Sequence, residues 1–190
     1  MKRTLILACL ALGGCQFMGM IGNGAHRLYS MVADDRSTTD DWSDVQINMA
    51  VRDALGKCKA SLVIDVEVTV FEGEVLLTGA IPNADILNDI MTQVWSVPGV
   101  RKVYNYIRID ETPAFHDVTV EAAVAAKIKA KLAVTSGVNS ANYKLILENG
   151  TAYLMGIYAD EAEYRRVEAV LSTTDGVDKI ISLMHPPIED

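Results

Sequence analysis

The sequence predicts an α+β protein: two tandem αββαβ two-layer sandwich domains after an N-terminal export segment and a tether. Three observations predict it. Glycines 73, 79 and 99 recur as glycines 150, 156 and 176, each shifted by 77 positions. The same shift carries Val51 and Leu55 onto Ile128 and Leu132, and Val68 and Val70 onto Leu145 and Leu147, without a gap. Within each copy, apolar residues switch from helical spacing to strand alternation and back, the change of period that separates the two element types.

In the first copy, Asp44 to Cys58 places Ile47, Val51, Ala54, Leu55 and Cys58 on one helix face. That spacing makes Cys58 a small buried residue. Ile64 to Phe71 alternates, with Ile64, Val66, Val68 and Val70 on one side, as a half-buried strand does. Glu72-Gly73 turns the chain into Val75–Gly79, closing a hairpin. Asn83 is the N-cap of a helix with Ile86, Leu87, Ile90 and Val94 as its stripe, and Pro98-Gly99 ends it. Val100 to Ile109 is the third strand. The second copy repeats the plan. Val120, Val124, Ile128 and Leu132 mark a helix over 118–134, and Asn149-Gly150 joins strands 143–147 and 152–155. Asp160 caps a helix bearing Tyr164, Val167 and Leu171, and Val177 to Met184 is the last strand. Trp42 and Trp95 read as packing residues. The expected boundaries are a signal peptide at 1–14, a tether at 15–42, domains at 43–110 and 117–186, and a linker at 111–116. So short a link favours packing of the two copies on each other.

The N-terminus carries a different message. Lys2-Arg3 precedes a nine-residue apolar run, Thr4 to Leu12, less than half of what a helix needs to cross a bilayer and typical of a secretory signal. The run ends in Leu12-Gly13-Gly14-Cys15, which looks like a lipobox. By resemblance to bacterial lipoproteins, the mature chain starts at an acylated Cys15 bearing diacylglycerol and a further acyl chain such as palmitate. Several chains anchor far more firmly than one. Gln16, standing where an Asp would retain the protein at the inner membrane, implies sorting to the outer membrane, facing the periplasm.

The chain has 190 residues, half of them apolar, 22% charged, with a net charge of −8. That composition supports packed cores and excludes a general nucleic-acid role, which needs a basic face. No nucleophile elbow, phosphate loop or zinc-binding helix motif is present. His26, His116 and His185 are scattered, and Asp160, Glu161 and Glu163 sit where a helix start favours acids. The sequence therefore points to no catalytic residues, no metal site and no cofactor.

Two segments carry a family resemblance: Val75-Leu76-Leu77-Thr78-Gly79 followed by Val97-Pro98-Gly99-Val100-Arg101-Lys102-Val103, echoed by Ala152–Gly156 and Thr174–Ile180. With Val103–Arg108 and Glu148-Asn149-Gly150, this pattern resembles the BON domain. Together with the lipobox and Asp35-Arg36-Ser37, the chain resembles the dual-BON outer-membrane lipoproteins of Gram-negative bacteria. The resemblance implies a non-enzymatic protein that binds anionic phospholipid and supports outer-membrane integrity. The residues expected to meet phospholipid are Lys127, Ile128, Lys129 and Lys131 on the first helix of the second copy, the lysines flanking Ile128. Long lysines reach phosphate while their stems cover apolar surface, each adding about 1 kcal/mol at an anionic membrane. In the first copy Arg52, Lys57 and Lys59, beside Asp53, read as a solvated face. The alternative reading is a protein-binding scaffold that works with envelope proteins and recognises no headgroup.

Overall fold

The computed structural model describes residues 38–110 and 118–187, with side chains from 43 to 110 and from 119 to 187. The expected signal peptide, Cys15, most of the tether, the linker, His26, His116 and the Trp42 side chain lie outside the described residues.

The first domain runs α1 (Thr38–Cys58), α2 (Leu62–Asp65), β1 (Val66–Phe71), β2 (Glu74–Ile81), α3 (Ala84–Trp95), β3 (Lys102–Asn105) and β4 (Arg108–Ile109). The second runs α4 (Val118–Val134), a 3-10 turn at Ser140–Asn142, β5 (Tyr143–Glu148), β6 (Thr151–Ile157), α5 (Glu161–Ser172) and β7 (Lys179–His185). In each sheet the second hairpin strand is central: β2 pairs antiparallel with β1 and parallel with β3 and β4, and β6 likewise with β5 and β7.

The duplication extends to single contacts. Asp44 accepts hydrogen bonds from the Glu72 and Gly73 amides at 2.8 and 2.9 Å, and Glu121, its counterpart, accepts from the Asn149 amide at 2.5 Å. Both hairpin turns pass through left-handed backbone, at Glu72-Gly73 and Asn149-Gly150, the conformation a two-residue hairpin demands. Asn83 and Asp160 cap α3 and α5 through the Ile86 and Glu163 amides. Gly79 and Gly156 lie where a Cβ would run into the carbonyl oxygens of Asp65 and Asn142.

Helices cover one face of each sheet. Ile47, Val51 and Leu55 of α1 and Ile90 and Val94 of α3 pack on Val66, Val68, Val75 and Leu77. Ile128 and Leu132 of α4 and Val167 and Leu171 of α5 pack on Leu145, Ala152 and Leu154. The other two faces meet in a third core, where Phe71 and Leu76 join Ile146, Tyr153, Met155 and Leu183. The layers therefore run helix, sheet, sheet, helix. Central strands buried on both faces explain the unbroken runs Val75-Leu76-Leu77 and Tyr153-Leu154-Met155.

The structure departs from the sequence expectation at six places. α1 begins at Thr38, six residues ahead of Asp44. Ile64 does not start β1: the Ile64 and Asp65 amides both bond to the Ser61 carbonyl at 2.9 Å, closing a helical turn, and Ile64 is 88% exposed. The third strand of the first copy breaks at Tyr106-Ile107, because Asn105 Oδ1 accepts from the Ile107 amide at 3.1 Å. Ser182 at the matching position leaves β7 continuous. Val120 is exposed: steps of four residues rotate about 40° each around a helix, so Glu121 takes its place toward the sheet. Cys58 is exposed at the end of α1, one turn past the last core residue Leu55. Trp95, last in α3, stands half in solvent while Val94 fills the core.

Candidate functional site

The lysine-edged helix of the second domain is α4. Its apolar stripe is set by Val124, Ile128 and Leu132, and Ile128 is fully buried. Ile128 therefore fixes the helix on the sheet and presents nothing to a ligand in this fold, a correction to its expected contact role. The three lysines do not converge. Lys127 Nζ lies 3.3 Å from Asp175 Oδ2, an exposed pair that contributes little to stability. Lys131 Nζ donates to the Thr173 carbonyl at 3.2 Å and to Thr174 Oγ1 at 2.9 Å, just past the end of α5. Cations suit that end of a helix. Lys129 lies on the opposite margin, half-buried, where desolvation holds its ammonium below the usual lysine range and the attraction of Glu67 on β1 offsets part of that. Lys127 and Lys131 thus share one margin of α4, and Lys129 lies on the margin facing Glu67 of the first domain.

Outward from that stripe α4 shows Ala123, Ala126, Ala130 and Val134, all exposed. An anion approaching Lys127 competes only with the exposed Asp175 carboxylate. At Lys131 it competes with a carbonyl and a hydroxyl already in place.

Other polar groups escaped sequence reasoning. Lys144 on β5 reaches into the first domain: its Nζ donates to the Val70 carbonyl at 2.6 Å and lies 3.6 Å from Asp44 Oδ2 and 5.8 Å from the Phe71 ring centre. Arg108 NH2 stands 3.5 Å from Glu148 Oε1, and the Tyr106 and Tyr153 rings meet at 5.0 Å. Glu163 is buried, and its carboxylate accepts from the amides of Asn139 at 2.9 Å and Ala159 at 2.7 Å. It is a structural clamp on two loops, built on a helix-start pattern of Asp160 and Glu163. Burial, then the neighbouring Glu163, pushes the Tyr143 hydroxyl well above the usual tyrosine range. Among the described residues, no group of three His, Cys, Asp or Glu stands ready to hold a metal, and no helix is long and apolar enough to cross a membrane.

Residues 43–111 and 121–185 each match the BON domain profile. The chain belongs to the BON-domain family. Both BON domains fall on the two halves of the layered fold. Outer membrane lipoprotein DolP of Haemophilus influenzae is 28% identical over 191 aligned residues, covering 96% of this chain and 95% of that protein. An uncharacterized protein of Anaplasma centrale is 32% identical over 121 residues, 63% of this chain and 80% of its own length. A 21 kDa hemolysin of Actinobacillus pleuropneumoniae is 28% identical over 120 residues, 63% of this chain and 61% of the hemolysin.

Proposed function

We propose that this chain is a non-enzymatic outer-membrane lipoprotein, anchored by acyl chains on Cys15 and facing the periplasm, whose second BON domain binds anionic phospholipid and which supports outer-membrane integrity. The observation that carries the reading is the similarity to an outer membrane lipoprotein along almost the whole chain, joined to the Leu12-Gly13-Gly14-Cys15 motif. Lys127 and Lys131 are the residues proposed to meet the headgroup phosphate, with Lys129 contributing from the other margin and Ile128 holding the helix in place. A second reading, a scaffold for envelope proteins, draws on Lys131 being engaged by Thr173 and Thr174.

Sedimentation of the mature Cys15→Ala chain with phosphatidylglycerol vesicles separates the two. Binding at low salt that weakens about tenfold or more in the Lys127→Glu, Lys131→Glu double variant supports headgroup recognition, given about 1 kcal/mol per near-surface lysine. Recovery of neither protein with the vesicles favours the scaffold, and equal recovery of both excludes Lys127 and Lys131 as the headgroup site. The anchor is tested in cells: Cys15→Ala is expected to move the protein from the membrane pellet to the soluble periplasmic fraction. Retention after a carbonate wash would show that something other than acylation holds it.

A further inference from the structure

The sheet of the second domain ends at β7, which pairs on one side only, parallel to β6. The Lys179 amide donates to the Gly150 carbonyl and the Tyr158 amide to the His185 carbonyl, both at 3.2 Å. In a parallel ladder successive residues turn their N–H and C=O groups to opposite sides. Lys179, Ile181, Leu183 and His185 therefore bond to β6, and Ile180, Ser182 and Met184 hold their backbone groups out along the free edge. Among the described residues no hydrogen bond occupies that edge.

The first copy closes the same edge. The Ile107 amide, counterpart of the Met184 amide, is taken by Asn105 Oδ1 at 3.1 Å, and the strand breaks there. A break of this kind guards an edge against pairing with another chain. In the second copy Ser182 stands where Asn105 does, and β7 runs unbroken from Lys179 to His185. Between Ile180 and Met184 it holds neither a charge nor a proline. Ser182 Oγ is shut away from water without a hydrogen bond. The Tyr164 hydroxyl stands near it but gives its proton to Glu168 Oε1 at 2.7 Å.

The strand also matches itself. Turned about a two-fold axis at Ser182, it sets Ile180 against Met184, Ile181 against Leu183 and Ser182 against its own copy, in antiparallel order. The outward residues then fall opposite one another as hydrogen-bonded pairs, each exchanging both backbone bonds. Apolar side chains meet apolar side chains on both faces of the extended sheet, as cross-strand pairing favours. The two Ser182 hydroxyls stand opposite on one face, within reach of each other, which gives the orphaned oxygen a partner. Lys179 and His185 fall at the ends of the paired stretch, where water reaches them. A two-fold contact of this kind closes on two copies and leaves no edge to recruit a third.

We propose that β7 pairs with β7 of a second copy of this chain, joining the two second-domain sheets edge to edge around Ser182. A pairing along one strand edge is small beside the roughly 1,200 Å² of stable complexes. Copies anchored in one membrane are held close together, which raises their effective concentration. The pairing itself uses none of the α4 lysines.

The test begins with the mature chain carrying Cys15→Ala and Cys58→Ser. Its sedimentation coefficient is expected to rise from monomer toward dimer across an about hundredfold range of concentration. Adding Ser182→Asn, which brings the first copy's edge cap into the second, is expected to keep it monomeric with an unchanged thermal melt. In membranes from cells, the full chain with Cys58→Ser and Ser182→Cys is then oxidised with copper phenanthroline. Opposed Cα atoms in a hydrogen-bonded antiparallel pair stand about 5.5 Å apart, within disulfide reach. A species of doubled mass is expected, absent from a Ser172→Cys control on the exposed end of α5. A doubled species in membranes from a chain that is monomeric in solution also supports the pairing, confined to the membrane. A monomer in solution with no doubled species in membranes overturns it. So does self-association that survives Ser182→Asn, which places the contact on another face. Equal cross-linking of the Ser172→Cys control overturns it as well, and so does capture of a different protein by Ser182→Cys, which makes the edge a seat for a foreign strand. None of these results alters vesicle binding through Lys127 and Lys131, so the two readings fail separately.

Discussion

Lys144 on β5 donates to the carbonyl of Val70 on β1 at 2.6 Å, across the boundary between the two BON domains. Its ammonium also lies 3.6 Å from Asp44, the residue that caps the first hairpin turn. One side chain thus links the second sheet to the edge of the first and to the helix above it. Val68, two residues back on the same edge, gives its carbonyl to Asn48 and Arg52. The exposed margin of β1 is occupied by donors, a common protection against pairing with another chain.

Lys144→Met is expected to keep the fold and lower its stability by about 1–3 kcal/mol, the usual cost of losing a hydrogen bond made by a charged group. Urea unfolding followed by circular dichroism measures it. An unchanged midpoint would show that the contact contributes nothing net.

Leu76→Ala removes a side chain from the core shared by both sheets. The expected loss is about 2–5 kcal/mol. Because the cavity opens between the domains, both halves are expected to lose stability together. Hydrogen exchange reads this out: amides in β6 as well as β2 should exchange faster, and an effect confined to β2 would contradict a common core.

Gly79 adopts φ +117, and a Cβ there would collide with the Asp65 carbonyl oxygen. Gly79→Ala is expected to cost about 1–3 kcal/mol from backbone strain alone, with more from the collision. A half-buried helical glycine with ordinary backbone, Gly56, where an added Cβ meets only the Val63 side chain at 3.3 Å, provides the comparison in thermal melts.

Tyr143 is pushed up from 10.0 first by burial and then by Glu163. The folded state therefore favours the neutral phenol. The contribution is fully present below the ordinary tyrosine value and is lost as pH rises through and beyond it. Unfolding free energy is expected to fall above about pH 10, and Tyr143→Phe should flatten that fall. A parallel decline in the variant would assign it to other groups; Tyr104, Tyr153 and Tyr164 are raised as well.

The repeat, the hairpins and the caps were legible because each rests on local chemistry. Asn149-Gly150 can turn in few ways, and Asn83 and Asp160 bond amides three residues on. Ile64 misled because alternation does not reveal where a turn of helix ends. Trp95 and Cys58 misled because helical spacing gives an angle around the axis and not how far the core extends along it. At the candidate site, the margins of α4 were readable from spacing, but the partners of Lys127, Lys129 and Lys131 lie 42–62 residues away, on loops and strands whose approach no local pattern encodes. Lys144 was invisible for the same reason. A lysine on a strand looks solvated until the opposing sheet is in place.

The contact between the halves uses like positions on each side: Leu76 with its counterpart Tyr153, Tyr104 with Ile181, and Tyr106 with Leu183 all belong to the shared core. It joins two like halves within one polypeptide, with partial symmetry only, since Phe71, Ile146 and Met155 answer to the polar Glu148, Thr69 and Thr78. Two separate subunits joined by such a surface would part on dilution. Here the covalent link makes the pairing independent of how many molecules are present, so a scarce protein keeps its full architecture as well as an abundant one does.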